Sequence, residues 1–161
     1  ELFELAKRVK RVTDKYYVPL IINDRLDICL AVDAAGVHLG QTDLPCSEAR
    51  RILGAEKIIG VSAATPEEAA KAESDGADYL GVGAVFATST KTNTRPVTAE
   101  TIRAIRSTVD IPFVVIGGVN SENISGLYGL GINGAAVISA IISQPDITAA
   151  ARKMRQAAER L

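Results

Sequence analysis

Residues 57–86 read KIIGVSAATPEEAAKAESDGADYLGVGAVF. The apolar run 57–62 is nearly continuous rather than alternating, which is the pattern of a strand covered on both faces. Thr65, Pro66 and Glu68 then form a capping box with proline at the first helical position, and Gly76 lies where a helix over 66–75 should stop. A second apolar run, 78–86, follows at once. Strand, helix and strand in so short a segment make a crossover unit, and crossover units build parallel sheets.

The same alternation extends in both directions. Leu2, Leu5, Ala6, Val9 and Tyr16 recur at helical spacing opposite Lys and Arg, so the chain opens on an amphipathic helix. Strands are expected near 19–24, 37–40, 57–62, 78–86, 112–117 and 134–139, with helices near 26–35, 47–53, 66–75, 99–108, 122–130 and 147–160. An open doubly wound sheet shares this alternation, and periodicity does not exclude it. The repeat of short, similar units with polar residues after every strand favours a (β/α)8 TIM barrel. Such a barrel has eight strands and only six are read here, so the first two strand–helix units are expected to be missing from this chain. Residues 1–161 then form a single, partial barrel domain. A six-unit remnant exposes two strand edges, so an oligomer, a partner segment or marginal stability is expected to follow.

Composition narrows the function. The chain has 161 residues, 47% of them apolar, with 18 basic and 19 acidic residues and a net charge of −1. No global field draws it to nucleic acid or to an anionic membrane, so any anion it binds is held locally. No apolar run is long enough to span a bilayer and the N-terminus has no signal core, so the protein is read as cytoplasmic. Cys29 and Cys46 with one histidine are too few soft ligands for zinc and are read as reduced, structural thiols. His38, between Val37 and Leu39, is read as a buried, hydrogen-bonded structural residue.

In a barrel of this kind the chemistry sits in the loops after the strands. Asn23 and Asp24 follow the first strand, and Gly40-Gln41-Thr42-Asp43 the second. Carboxylates on adjacent loops can share one Mg2+, which takes oxygen ligands and completes its shell from water and substrate phosphate. Alone, Asp24 or Asp43 reads equally as a helix cap or a solvated turn. Ser62 puts a hydroxyl at the third tip. The long loop after the fourth strand carries Thr88, Ser89, Thr90, Lys91, Thr92 and Asn93, a set that can cradle phosphate or form a plain solvated loop. Gly117 and Gly118 after the fifth strand, with Ile138 and Ser139 ahead of a short helical turn after the sixth, match the phosphate site that follows barrel strands seven and eight. Counting back from that site makes the first strand here the third of eight.

At this point the residues become recognisable. Leu20-Ile21-Ile22-Asn23-Asp24-Arg25, Gly36-Val37-His38-Leu39-Gly40-Gln41-Thr42-Asp43, Ile59-Gly60-Val61-Ser62, Gly76-Ala77-Asp78-Tyr79-Leu80-Gly81-Val82-Gly83, Thr88-Ser89-Thr90-Lys91 and Ile116-Gly117-Gly118-Val119 occur in that order. Together they closely resemble the thiamin phosphate synthase family over essentially the whole chain. The resemblance implies a transferase on a (β/α)8 barrel that joins hydroxymethylpyrimidine diphosphate to thiazole phosphate, releases pyrophosphate and needs Mg2+. It implies that Asp24 and Asp43 bind the metal, and that Asn23, Ser62 and Lys91 hold the pyrimidine diphosphate. It implies that Thr88, Ser89, Thr90, Gly117, Gly118, Ile138 and Ser139 hold the thiazole phosphate. Lys91 and Ser62 are then the residues on which catalysis is expected to fall. A pyrimidine-side Gln-Leu-Arg-Glu-Lys-like segment of the family has no counterpart here. Two other readings stay open: a thiazole tautomerase of the same fold, weakened because Ala64 stands where many relatives carry histidine, and a non-catalytic phosphate-binding barrel fragment.

Overall fold

A computed structural model describes residues 1–87 and 96–161. The described residues form two compact units, one of Glu1–Ser62 with Lys71–Tyr79, the other of Ala63–Ala70 with Leu80–Leu161. The expected strand–helix alternation is present in both.

The first unit opens on helix α1 (Leu2–Lys15), of which only Ala6 is buried while Leu2, Leu5, Val9 and Val12 stay exposed. Strand β1 (Ile21–Asn23), helix α2 (Leu26–Ala31), strand β2 (Gly36–Leu39), helix α3 (Cys46–Leu53) and strand β3 (Ile58–Ala63) follow. β1 pairs in parallel with β2, placing Asn23 opposite His38, and β2 pairs in parallel with β3, placing Leu39 opposite Val61. Val37, Leu39, Ile59 and Cys29 are buried on these elements, so the unbroken apolar runs belong to strands covered on both faces, as expected. Cys29 and Cys46 are both buried free thiols, and burial pushes each of them up from the ordinary thiol value.

Arg50 on α3 ties several turns of this unit together. Its guanidinium donates to the carbonyls of Gly54 (2.7 Å), Lys57 (2.8 Å) and Gly76 (2.8 Å) and to the Asp78 carboxylate (2.6 Å). A planar fork with five donors can satisfy that many acceptors at once, and an ammonium cannot. The other oxygen-rich junction is at Asp78, which also accepts from the Ile59 amide at 2.7 Å and so locks the approach to the next strand onto β3.

Helix α4 (Pro66–Ser74) starts as its sequence dictates. Thr65 Oγ1 accepts from the Glu68 amide at 3.2 Å, while the Glu68 carboxylate accepts from the Ala64 amide at 2.7 Å, one residue earlier than the usual reciprocal bond. Gly76 closes it at φ +92°, a conformation that glycine adopts without strain.

The second unit contains β4 (Tyr79–Gly83) from Leu80 onward, α5 (Ala99–Thr108), β5 (Phe113–Ile116), β6 (Gly134–Ala136), α6 (Ser139–Ile142) and α7 (Ile147–Ala158). β4 pairs in parallel with β5, and β5 with β6. Leu80, Val82, Ile102, Ile105, Phe113, Val115 and Ile124 are among its fully buried side chains. Thr98 caps α5 by accepting from the Thr101 amide, and Asp146 caps α7 by accepting from the Ala149 amide at 2.9 Å.

The expected helix over 122–130 is a correction: only a single 3-10 turn, Ile124–Leu127, forms there. Asn120 and Asn123 capture the local amides. Asn120 Oδ1 accepts from Glu122 and Asn123, and Asn123 Oδ1 accepts from Asn120, which offers the backbone an alternative to helix. Gly126 sits inside the turn and Gly129 takes φ +74° beyond it, so the segment lacks the residues that propagate a helix. No helix among the described residues is long and apolar enough to cross a membrane.

Candidate active site

In the first unit the C-terminal ends of β1, β2 and β3 carry the polar residues picked out from the sequence. Asn23 ends β1 in register with His38. Asp24 follows at φ +63°, with its amide donating to the His38 carbonyl at 2.8 Å, so the turn after β1 is pinned to the end of β2. A non-glycine residue held in this left-handed region marks a backbone set by its surroundings rather than by local preference.

After β2, the Asp43 carboxylate folds back and its Oδ2 accepts from the Gly40 amide at 2.7 Å. The bond closes the Gly40–Asp43 turn. Gln41 reaches across from the same turn and donates from Nε2 to the Ser62 carbonyl at 2.6 Å. Asn23 and Asp24 are exposed, whereas Asp43 and Ser62 are half-buried. Carboxylates, an amide and a hydroxyl thus line three neighbouring tips of one unit. Among the described residues no group of three or more His, Cys, Asp and Glu side chains is arranged to hold a metal ion.

His38 corrects the sequence reading in one respect. It is hydrogen-bonded, as expected, but half-buried rather than buried. Its Nε2 lies 3.0 Å from Ser62 Oγ and its Nδ1 lies 3.0 Å from Tyr79 Oη, so it bridges a site residue to a phenol. The His38 and Tyr79 rings are 5.5 Å apart and inclined at 42°. Tyr79 was not singled out from the sequence, since an aromatic residue at the start of an apolar strand reads as core. The available signal was Gly60: a Cβ there would collide with the Tyr79 phenol, so the missing side chain on β3 is what admits the ring.

In the second unit Gly117 and Gly118 follow β5 at φ +98° and +65°. A Cβ on Gly117 would strike Ala84 and one on Gly118 the Ala87 carbonyl, so backbone geometry alone requires glycine at both positions. Asn123 Nδ2 donates to the Gly118 carbonyl at 2.9 Å and holds the turn. The register of β5 with β6 sets Ile116 opposite Ala136, so the twin-glycine turn and the Ile138–Ser139 pair leave neighbouring strand ends. Ser139 opens the short helix α6, as expected, and is exposed. Thr88, Ser89, Thr90 and Lys91 lie outside the described residues.

A family model described as thiamine monophosphate synthase matches residues 1–141. The chain belongs to that family. It is 55% identical over 154 residues to the thiamine-phosphate synthase of Ruminiclostridium cellulolyticum, spanning 96% of this chain and 73% of that protein. It is 49% identical over 161 residues to the thiamine-phosphate synthase of Clostridium botulinum, of which it spans 76%. The solved thiamine phosphate pyrophosphorylase of Pyrococcus furiosus superposes with a TM-score of 0.90 at 40% identity, over 98% of this chain and 75% of that one. A 3-hexulose-6-phosphate synthase, at TM-score 0.70 and 18% identity, shares the fold alone. As a member of the thiamine monophosphate synthase family, the chain is an enzyme of the transferase class on an α/β, TIM-barrel-like fold.

Proposed function

We propose that this enzyme couples hydroxymethylpyrimidine diphosphate to thiazole phosphate, giving thiamin phosphate and pyrophosphate. The observation that carries the reading is identity of about one half, over nearly the whole chain, to proteins named thiamine-phosphate synthase. The chemistry of the described residues suits it. Displacement of pyrophosphate needs anion-binding groups and stabilisation of a departing charge more than it needs a proton-transfer relay.

Asn23 and Ser62, with Lys91, hold the pyrimidine diphosphate. Gly117, Gly118, Ile138 and Ser139, with Thr88, Ser89 and Thr90, hold the thiazole phosphate. In that role the glycine turn and the start of α6 offer backbone amides, which bind phosphate without bringing a side-chain charge. Asp24 and Asp43 are hard oxygen donors of the kind Mg2+ prefers, and their number suits a metal that keeps water and substrate phosphate in its shell. The Gly40 amide engages Asp43 through Oδ2. Mg2+ held by Asp24 and Asp43 would supply positive charge to neutralise a departing diphosphate. Lys91 contributes a second positive charge to the same leaving group. The reading also makes the six strands the last six of a (β/α)8 barrel and residues 1–161 part of one catalytic domain. The chain spans 73% to 76% of the length of these relatives.

Asp24→Ala and Lys91→Ala test the assignment. Each is expected to lower kcat by about a hundredfold or more, the scale seen when one group that stabilises a developing charge is removed. Thiazole phosphate affinity, read by calorimetry, is expected to stay nearly unchanged in both. Unaltered turnover in either variant contradicts the role given to that residue.

A further inference from the structure

His38 sits between two hydroxyls, and the direction of the hydrogen bonds along that chain decides what Ser62 can offer a ligand. A neutral imidazole has one N–H and one bare nitrogen, so only two arrangements satisfy both 3.0 Å contacts. In one, Tyr79 donates to Nδ1 and Nε2–H donates to Ser62 Oγ. In the other, Ser62 donates to Nε2 and Nδ1–H donates to Tyr79.

Two features favour the first, and a third shows that the contact is built in. A phenol is a far stronger acid than an aliphatic alcohol, which makes Tyr79 the better donor of the two and the poorer acceptor. Burial pushes the Tyr79 phenol up from its ordinary value, so it keeps the proton it would donate. Gly60 holds open the space that the phenol occupies, so the contact is built into the strand rather than made by a wandering surface side chain. Ser62 is further steadied through its own carbonyl, which accepts from Gln41.

We infer that His38 is a positioning residue, held as the Nε2–H tautomer by Tyr79, whose bond to Ser62 Oγ turns the serine's own proton outward as a donor to an anionic ligand. The reverse polarity points serine lone pairs at that anion and repels it. No proton is transferred and no change of charge is involved: Tyr79 acts through His38, and His38 acts through Ser62. The inference deepens the proposed function, because it rests on Ser62 binding the diphosphate substrate.

His38 is the only histidine among the 161 residues, so histidine-labelled protein gives a single imidazole whose two nitrogen shifts report the tautomer by NMR. The expected result is a protonated Nε2 and a bare Nδ1. A dominant Nδ1–H form overturns the inference. In Tyr79→Phe the phenol donor is gone, and the two shifts are expected to move toward each other as the tautomers mix; unchanged shifts overturn the part given to Tyr79. The kinetic counterpart is a split. Tyr79→Phe is expected to raise KM for hydroxymethylpyrimidine diphosphate about five- to tenfold, the effect of one misdirected hydrogen bond, with KM for thiazole phosphate unmoved. Ser62→Ala separates the two levels of the argument. If it raises the diphosphate KM while Tyr79→Phe does not, the relay is wrong and the substrate assignment stands. If Ser62→Ala leaves that KM unmoved although the Nε2–H tautomer is found, Ser62 does not bind the diphosphate, and the role inferred for His38 falls with it.

Discussion

A methyl group on Gly60 would occupy space that the Tyr79 phenol fills, so Gly60→Ala must either displace the ring or strain β3. Overpacking of this kind costs about 1–3 kcal/mol, measurable as a lower denaturation midpoint at unchanged m-value. Tyr79 carries a second consequence. Its folded-state pKa is raised above the ordinary phenol value of 10.0 because burial penalises the phenolate. The neutral phenol therefore contributes stability that is fully present below pH 10.0 and is lost as pH rises through the higher folded value. Stability–pH profiles of the enzyme and of Tyr79→Phe are expected to diverge on this alkaline side, and profiles that stay parallel there would contradict the assignment. Asn23, Asp24, Asp43 and Ser62 could be placed near strand tips from the sequence because each lies within a few residues of the end of an apolar run, which is where a parallel sheet presents its tips. Tyr79 was not, because its partner lies on β2, 41 residues away in sequence, and only the fold brings His38 to it.

Caps and turns hold the elements in place. Asp146→Ala removes the side-chain acceptor at the start of α7 and is expected to cost about 1 kcal/mol, read by thermal or chemical unfolding. Arg50→Lys tests the clamp on α3. A lysine can reach one of the acceptors at Gly54, Lys57, Gly76 and Asp78 but not all of them, and the loss is expected to be roughly 2 kcal/mol with no change in substrate KM. The capping box at Thr65 was visible as a local pattern, and it forms with one bond shifted by a residue. The failed helix after β5 shows the limit of such reading. Its apolar spacing looked helical, yet Asn120, Asn123 and three nearby glycines gave the backbone cheaper partners and freer dihedrals than a helix offers. Arg50 left no trace in the sequence, since an arginine on an amphipathic helix reads as solvated surface until the carbonyls around it are known.

For the whole molecule, parallel pairing within each unit follows from apolar runs without alternation, which is why fold class was the most legible property. The grouping of residues 71–79 with the N-terminal unit and 63–70 with the other was not legible, because it depends on contacts distant in sequence. Under the proposed function the metal would be held by Asp24 and Asp43, which are exposed and half-buried and stand apart from the buried core. Chelation is accordingly expected to abolish turnover while moving the melting temperature only slightly, and restored Mg2+ should return activity; a collapse of the fold on chelation would contradict this placement. The measurement that bears most directly on the account is turnover with hydroxymethylpyrimidine diphosphate, thiazole phosphate and Mg2+, with both products quantified. Thiamin phosphate and pyrophosphate formed in equal amounts, and neither formed when one substrate is left out, is the predicted result. Absence of thiamin phosphate from folded enzyme that still binds both substrates would contradict it.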